Sequence, residues 1–213
     1  MATDRSKLIE FNRAQVVSEG DTFTIERYKQ FVAHFPSHIR NVLDVGCNTG
    51  RGGPVIKNNF PHVQITGLDC VSERLSALDP DIYSNSVCSF TNEIRLPDGS
   101  FDAIVAGEFI EHVFPVDVTP TLFEFFRLLR LKGKLLLTTP NPAYLKNRIQ
   151  GTSVLLDPAH VSQHSPTSLR RRLEDTGFSK IKIRGTGRVS RFLGQHFPYR
   201  SVYGSYLIVA TKW

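Results

Sequence analysis

The sequence is poor in cysteine and has no long run of apolar residues. Its 213 residues include three cysteines, Cys47, Cys70 and Cys88, an odd number that does not suit a disulfide framework. No apolar stretch approaches the roughly 20 residues that span a bilayer. The first residues are polar and lack the apolar core of a signal peptide. We therefore expect a reduced, cytoplasmic protein with no transmembrane segment.

The length and the alternation of strand and helix signals predict one α/β domain with a mostly parallel sheet. We divide it into an N-terminal helical cap at 1–35, a core at 36–185, and a C-terminal loop and last strand at 186–213. The predicted strands lie at 41–46, 63–69, 86–90, 101–106, 134–139, 179–185 and 205–212. The predicted helices lie at 24–35, 52–59, 72–79, 119–131 and 165–176, with Lys132 and Gly133 ending the fourth of them. We expect 143–165 to be irregular.

Charge is distributed unevenly along the chain. Residues 1–126 carry 10 Lys or Arg against 17 Asp or Glu, a net charge of −7, whereas residues 127–213 carry 16 against 3, a net charge of +13. This asymmetry favours an anionic partner for the second half: nucleic acid, a phosphorylated substrate or a membrane surface. A solvated basic face would give the same composition, so the alternatives stay open.

The most informative segment is 42–50, Val-Leu-Asp-Val-Gly-Cys-Asn-Thr-Gly. Its apolar residues around Asp44 predict a buried strand, and Gly46 and Gly50 predict a tight turn at which a ligand can approach the backbone. A dinucleotide-binding loop needs a different glycine spacing, which this segment matches poorly. The segment resembles the first motif of class I S-adenosylmethionine-dependent methyltransferases, with Asn48 in place of the middle glycine.

This resemblance extends over about residues 30–185 and implies the fold and the cofactor site. The implied fold is Rossmann-like, a seven-stranded, mostly parallel sheet with helices on both faces and an antiparallel last strand. Asp69 would bind both ribose hydroxyls of S-adenosylmethionine, although it could instead cap the next helix. The other implied cofactor-binding residues are Asp44, Gly46, Cys47, Asn48, Gly50, Cys70, Thr91 and Gly107.

A second cluster, Gly-Glu-Phe-Ile-Glu-His-Val at 107–113, follows the fourth predicted strand. If the segment is helical, Glu108, Glu111 and His112 project from one face. Two carboxylates and an imidazole can bind a divalent cation or act as a base with supporting acids. The cluster resembles that of the ubiquinone-biosynthesis O-methyltransferases, which implies that Glu111 and His112 lie at the methyl acceptor.

The same cluster resembles that of small-RNA 2′-O-methyltransferases, in which a distant histidine completes a magnesium site. His160 occupies the comparable place here, and His164 is a close competitor. This resemblance implies a Mg²⁺ site, or a site for another divalent cation, built from Glu108, Glu111, His112 and His160. Alternatively, His112 serves as a base, orients a loop or only bonds the backbone.

We therefore predict an S-adenosylmethionine-dependent O-methyltransferase acting on a hydroxyl of a small molecule, sugar or lipid-linked glycan that carries an anionic group. Peripheral contact with a membrane is compatible with this prediction. The first alternative is an RNA 2′-O-methyltransferase, which the basic second half favours. The second is a non-catalytic partner protein with the same fold.

Overall fold

The structure is a computed structural model, and it describes residues 5–14 and 23–213. Seven strands form one sheet in the order β3-β2-β1-β4-β5-β7-β6. Six strands run in the same direction, and β7 is antiparallel to both of its neighbours, β5 and β6. The strands are β1 (Asn41–Val45), β2 (Gln64–Asp69), β3 (Asn85–Cys88), β4 (Phe101–Gly107), β5 (Leu129–Pro140), β6 (Phe178–Thr186) and β7 (Ser205–Lys212). The predicted fold is confirmed.

The described residues also form eight α-helices and three 3₁₀ turns. The helices are α1 (Arg5–Ala14), α2 (Thr24–Val32), α3 (Gly53–Asn59), α4 (Ser72–Leu75), α5 (Val118–Leu128), α6 (Leu145–Gln150), α7 (Pro166–Asp175) and α8 (Ser190–Leu193). The 3₁₀ turns are Ile110–His112, Val154–Leu156 and Arg200–Val202. Within the described ranges, every helix is too short or too polar to cross a bilayer.

The sheet is buried on both faces, as expected for parallel strands with crossover helices. Alternate residues of each strand point to opposite faces, so Val42 and Leu43 belong to different core clusters. On one face α5 and α7 contribute apolar side chains such as Phe125. On the other face α2 and α3 contribute Phe31 and Ile56. Tight packing on both faces fixes where the strands end.

Two predictions about the chain after residue 128 are wrong. The helix α5 ends at Leu128, because Leu129 already pairs with Phe101 in the sheet. Lys132 and Gly133 therefore lie inside β5, at an irregularity where Lys132 has a φ of +66°. The segment 143–165 is not wholly irregular, since it contains α6 and a 3₁₀ turn.

The carboxyl ends of the parallel strands lie at one edge of the sheet, where α/β proteins bind ligands. The helix α1 contacts this edge through two ion pairs, Arg5–Glu93 and Arg13–Glu73, both 2.7 Å long. The predicted cap at 1–35 includes residues 1–4 and 15–22, which lie outside the described residues. The division of the chain into cap, core and C-terminal segment stays a prediction.

Candidate active site

A cavity of about 530 Å³ lies at the carboxyl ends of β1, β2 and β4. Most of the residues that the sequence singled out share its wall. They are Gly46, Cys47, Asn48, Asp69, Cys70, Thr91, Gly107, Glu108, Glu111, His112 and His160. Asp44 and Gly50 are not among the lining residues. Tertiary folding therefore brings the first turn and the second cluster, 60 residues apart in sequence, into one site.

The glycine turn after β1 is tightly packed. Gly46 has a φ of +64°, and a Cβ atom there would lie 2.8 Å from the ring of Phe109. Asn48 has a φ of +52°, a left-handed conformation that asparagine tolerates well. Gly50 has a φ of +85° and lies against Tyr83. The turn thus depends on glycine both for its backbone conformation and for space.

Asp44 lies behind the wall of the cavity, with no exposed surface. The hydroxyl of Tyr28 donates a hydrogen bond to Oδ1 at 2.5 Å, and that of Tyr83 donates to Oδ2 at 2.6 Å. Burial raises the pKa of Asp44 to about 6, although both hydrogen bonds act in the opposite direction. Tyr28 itself lines the cavity. Direct contact between Asp44 and a ligand stays a prediction.

Asp69 links the end of β2 to the glycine turn. Its Oδ2 accepts a hydrogen bond from the Asn48 N–H at 3.0 Å, and its Oδ1 accepts one from the Val71 N–H at 2.9 Å. Arg74 lies 3.9 Å from the same carboxylate. Burial raises the pKa of Asp69, and these partners oppose the shift. The carboxylate therefore holds the backbone on both sides of the turn and also lines the cavity. Each of its oxygens has a further lone pair that can accept a hydrogen bond from a hydroxyl ligand.

The residues expected around adenine line the cavity beyond Asp69. Thr91 Oγ1 shares a hydrogen bond of 2.9 Å with Thr121 Oγ1, which fixes the orientation of its side chain. Burial raises the pKa of the Cys70 thiol to about 12 and raises that of Cys47 as well. Both thiols are therefore neutral at pH 7 and act as small apolar groups in the wall.

The end of β4 differs from the helical expectation. Glu108 has a φ of +49° and only Ile110–His112 form a 3₁₀ turn, so the expected helical face does not form. The Glu108 carboxylate lies 3.9 Å from the Arg27 guanidinium and accepts a hydrogen bond from Ser205 at 3.2 Å. Arg27 packs so closely over Gly107 that a Cβ atom there would lie 2.7 Å from its Cδ.

Glu111, His112 and His160 place one ligand atom each within 4.8 Å of the others. Glu111 is fully buried; its Oε2 accepts a hydrogen bond from Thr139, and its Oε1 has no partner. Burial and the neighbouring Glu108 carboxylate hold the pKa of Glu111 well above its usual range. Glu108 does not belong to this group, and its role as a fourth ligand stays a prediction.

The two imidazoles of the group are oriented by backbone carbonyls. His112 Nδ1–H donates to the Ala159 carbonyl at 2.9 Å, and His160 Nδ1–H donates to the Val154 carbonyl at 2.7 Å. These bonds leave each Nε2 as a lone-pair acceptor when the ring is neutral. Burial and the nearby His160 lower the pKa of His112 to about 4. The competitor His164 instead pairs with Ser162 at 2.8 Å.

Comparison with known proteins identifies the family and supports the fold. A model of the methyltransferase domain family matches residues 19–183. The chain belongs to this family. The methyltransferase is 32% identical over 144 residues to a protein of Mycolicibacterium smegmatis named as a probable S-adenosylmethionine-dependent methyltransferase, covering 65% of this chain and 52% of that one. This chain therefore carries a methyltransferase domain, as the sequence predicted.

Other similar proteins differ in the acceptors that their names give. A malonyl-[acyl-carrier protein] O-methyltransferase of Laribacter hongkongensis is 26% identical, with 72% of this chain and 54% of that one covered. The chain spans about half the length of these curated relatives. A methyltransferase structure from Archaeoglobus fulgidus superposes with a TM-score of 0.71 at 22% identity, covering 89% of this chain and 93% of that one. At this identity the likeness shows the fold alone.

Several residues of the site could not be found from the sequence. Arg27 and Tyr28 come from α2, 19 and 16 residues before Gly46 and Asp44, and Tyr83 follows α4. Arginines and tyrosines at such positions carry no motif of their own. Thr139 of β5 donates a hydrogen bond to Glu111, and Ser205 of β7 donates one to Glu108. Only the pairing of those strands brings them to the site.

Proposed function

We propose that the methyltransferase transfers a methyl group to a hydroxyl oxygen of an acceptor bound beside Glu111, His112 and His160. We further propose that these three side chains hold a divalent cation that activates this hydroxyl. The observation that carries the proposal is the group itself, a buried carboxylate oxygen without a partner beside two imidazoles with acceptor Nε2 atoms. A buried carboxylate oxygen without a hydrogen-bond partner costs free energy, and a cation bound to Glu111 Oε1 would remove this cost.

The cofactor end of the cavity fits S-adenosylmethionine. The Asp69 carboxylate would accept hydrogen bonds from the ribose hydroxyls, with Cys70 and Thr91 around the adenine. The backbone of the turn at 46–48 would lie against the methionine part, which a side chain at Gly46 would obstruct. The Arg27 guanidinium, which packs over Gly107, would pair with the carboxylate of that part.

The ligand set also indicates which cations fit. Mixed imidazole and carboxylate sites suit Mn²⁺, Zn²⁺ and similar ions better than Mg²⁺, which prefers oxygen ligands. Thr139 holds Glu111, while the Ala159 and Val154 carbonyls hold the imidazoles, so the ligands are oriented in advance. A bound cation would lower the pKa of a hydroxyl that contacts it and fix that oxygen for attack. The low pKa of His112 keeps protons from competing for Nε2 at neutral pH.

A role for His112 as a general base is the alternative within the same reaction. A base works best when its pKa lies near the operating pH, whereas the pKa of His112 lies at about 4. Most of the rate of methyl transfer can come from positioning the hydroxyl in line with the methyl group. The ligand role is therefore better supported than the base role.

For the acceptor we propose a small molecule, sugar or lipid-linked glycan with an anionic group. The names of two relatives, the malonyl-[acyl-carrier protein] enzyme and the human ubiquinone biosynthesis O-methyltransferase, refer to oxygen acceptors. RNA 2′-O-methylation is a second candidate, favoured by the same cation group and by the +13 charge of residues 127–213. Family membership supports an enzyme rather than a non-catalytic partner.

The test is a methyl-transfer screen over phenols, sugars, lipid-linked glycans and RNA, with and without a chelator. We expect activity to fall in chelator and to return with Mn²⁺ or Zn²⁺. Glu111→Gln should abolish the calorimetric binding of Mn²⁺ while S-adenosylmethionine still binds. His164→Asn is the matched control, because this histidine lies in the same segment outside the group. Full activity in chelator together with normal activity of Glu111→Gln would refute the proposed cation site. No methyl transfer to an oxygen of any tested acceptor would refute the proposed O-methyltransferase function.

A further inference from the structure

Two segments at the cavity edge of the sheet expose apolar and basic side chains together. We call these segments, residues 145–156 and 188–200, the rim. They follow β5 and β6, whose carboxyl ends lie at the same edge. Ile149 is 76% exposed and Phe192 is 87% exposed. Large apolar side chains left this open at one edge of the sheet indicate a surface that contacts something apolar.

The helix α6 shows the pattern most clearly. Leu145 and Ile149 are four residues apart and therefore lie on one helical face, and both are exposed. Lys146 and Arg148 lie between them in the sequence. Beyond the helix, Leu155 and Leu156 are also exposed. A short amphipathic element of this kind is suited to lying in an interface plane rather than to folding into a core.

Contacts join the two segments of the rim. The Asn141 side chain donates to the Arg200 carbonyl at 3.1 Å, and the Asn141 N–H donates to the Gly204 carbonyl at 2.8 Å. The helix α6 packs against the 3₁₀ turn at Arg200–Val202. The segment before α6 is thus fixed to the segment after α8, and both segments of the rim lie at the cavity edge of the sheet.

The rim borders the cavity. Arg188 and Arg191 lie over the ring of Phe23 at 5.1 and 5.5 Å, and Phe23 lines the cavity. On the other side, the Val154 carbonyl holds His160, which belongs to the candidate cation group. A surface that bound the rim would therefore lie next to the cavity.

The charge of the rim narrows the choice of partner. The rim, residues 145–156 and 188–200, contains five Lys or Arg and no Asp or Glu. One of these, Arg191, forms an ion pair of 4.0 Å with Glu26 of α2. Single-stranded nucleic acid would be expected to stack on aromatic rings, and the rim does expose Phe192 and Tyr199. On α6 and the turn that follows, by contrast, the exposed apolar side chains are aliphatic: Leu145, Ile149, Leu155 and Leu156. Aliphatic side chains among basic ones match the boundary between headgroups and acyl chains of an anionic bilayer.

We propose that the rim binds the surface of an anionic phospholipid bilayer. Ile149 and Phe192 enter the boundary between headgroups and acyl chains, and Lys146 and Arg148 bind the anionic headgroups. The enzyme then presents its cavity to the membrane surface. This inference goes beyond the proposed function, because it holds for any acceptor and does not depend on the cation.

The experiment is cosedimentation with vesicles of phosphatidylcholine alone and of phosphatidylcholine mixed with phosphatidylglycerol, at low and high salt. We expect binding to the mixed vesicles only, weakened by salt. The double variant Ile149→Ser/Phe192→Ser should lower the partition coefficient about tenfold or more. Lys146→Gln/Arg148→Gln should lower it about fivefold for each charge removed. Calorimetric affinity for S-adenosylmethionine should not change.

The matched control is Phe123→Ser/Leu131→Ser. These residues are 50% and 68% exposed, on α5 and near the amino-terminal end of β5, outside the rim. This control should bind the mixed vesicles as the unmodified enzyme does. An equal loss in the control would overturn the proposal, as would the absence of binding to the mixed vesicles at low salt. Binding of a single-stranded RNA oligonucleotide without vesicle binding would overturn it in favour of nucleic acid.

Discussion

Replacing Asp44 by asparagine should change how the stability of the protein depends on pH. Asp44 has no exposed surface, and its carboxylate accepts hydrogen bonds only from two tyrosine hydroxyls in the described structure. Burial disfavours its charged form and raises its pKa from 3.8 to about 6. The folded state therefore binds this proton more tightly than the unfolded state does.

The sign and size of the effect follow from this difference. Because the pKa of Asp44 is raised on folding, its contribution to stability is fully present below pH 3.8 and is lost as the pH rises through 6. Between about pH 4.5 and 7.5 the ionisation of this one group should lower the free energy of unfolding by about 2 kcal/mol. Asp44→Asn does not ionise and should not show this loss.

The assay is urea unfolding at a series of pH values, with the free energy of the unmodified protein subtracted from that of the variant. This difference should increase by about 2 kcal/mol from about pH 4.5 to 7.5. Asp81→Asn, which removes an exposed carboxylate, is the control and should give a difference that is nearly constant. A difference for Asp44→Asn that is flat or decreases with pH would refute the reasoning.

Two further predictions concern the backbone of the glycine turn and a buried charge. Gly46→Ala should weaken S-adenosylmethionine binding about tenfold or more in calorimetry, because the alanine would combine a φ of +64° with a 2.8 Å clash. The control Gly151→Ala has the same φ and nothing within 4 Å, so it should leave the affinity unchanged. An equal loss of affinity in both variants would contradict the packing argument. Asp102→Ala should lower the free energy of unfolding by about 1–3 kcal/mol in urea, because the buried carboxylate accepts two backbone N–H bonds and a guanidinium bond. Asp98→Ala, whose side chain is 78% exposed, should cost less than about 0.5 kcal/mol, and comparable losses would count against the role of burial.

The elements of the fold were largely predictable, and their ends were not. Apolar strands such as β1 and β4 alternate with helices in a pattern that predicts a parallel sheet. The segment 128–133 combines Leu, Arg and Lys, which suit a helix as well as a strand. Because Leu129 pairs with Phe101 of β4, the segment from Leu129 onwards forms β5 and does not continue the helix. Local propensity is weaker than such tertiary contacts.

The candidate site was likewise predictable in part. The residues after β1, β2 and β4 line the cavity as expected, because each follows a strand at one edge of the sheet. Spacing in the sequence could not show that Glu108 lies outside the group of Glu111, His112 and His160, since its backbone has a positive φ. Nor could it choose between His160 and His164, since each ring takes its hydrogen bonds from a different part of the chain.

The sequence by itself determined the order of strands and helices, the glycine turn and the methyltransferase family. These depend on local patterns, because apolar periodicity and glycine positions act through neighbouring residues. Only the tertiary structure decided which polar groups meet: the two tyrosines on Asp44, Arg27 over Gly107, and Glu111 with two imidazoles. The physical reason is that distant segments come together through packing of the whole core, and burial then sets the charge state of the groups that they bring into contact.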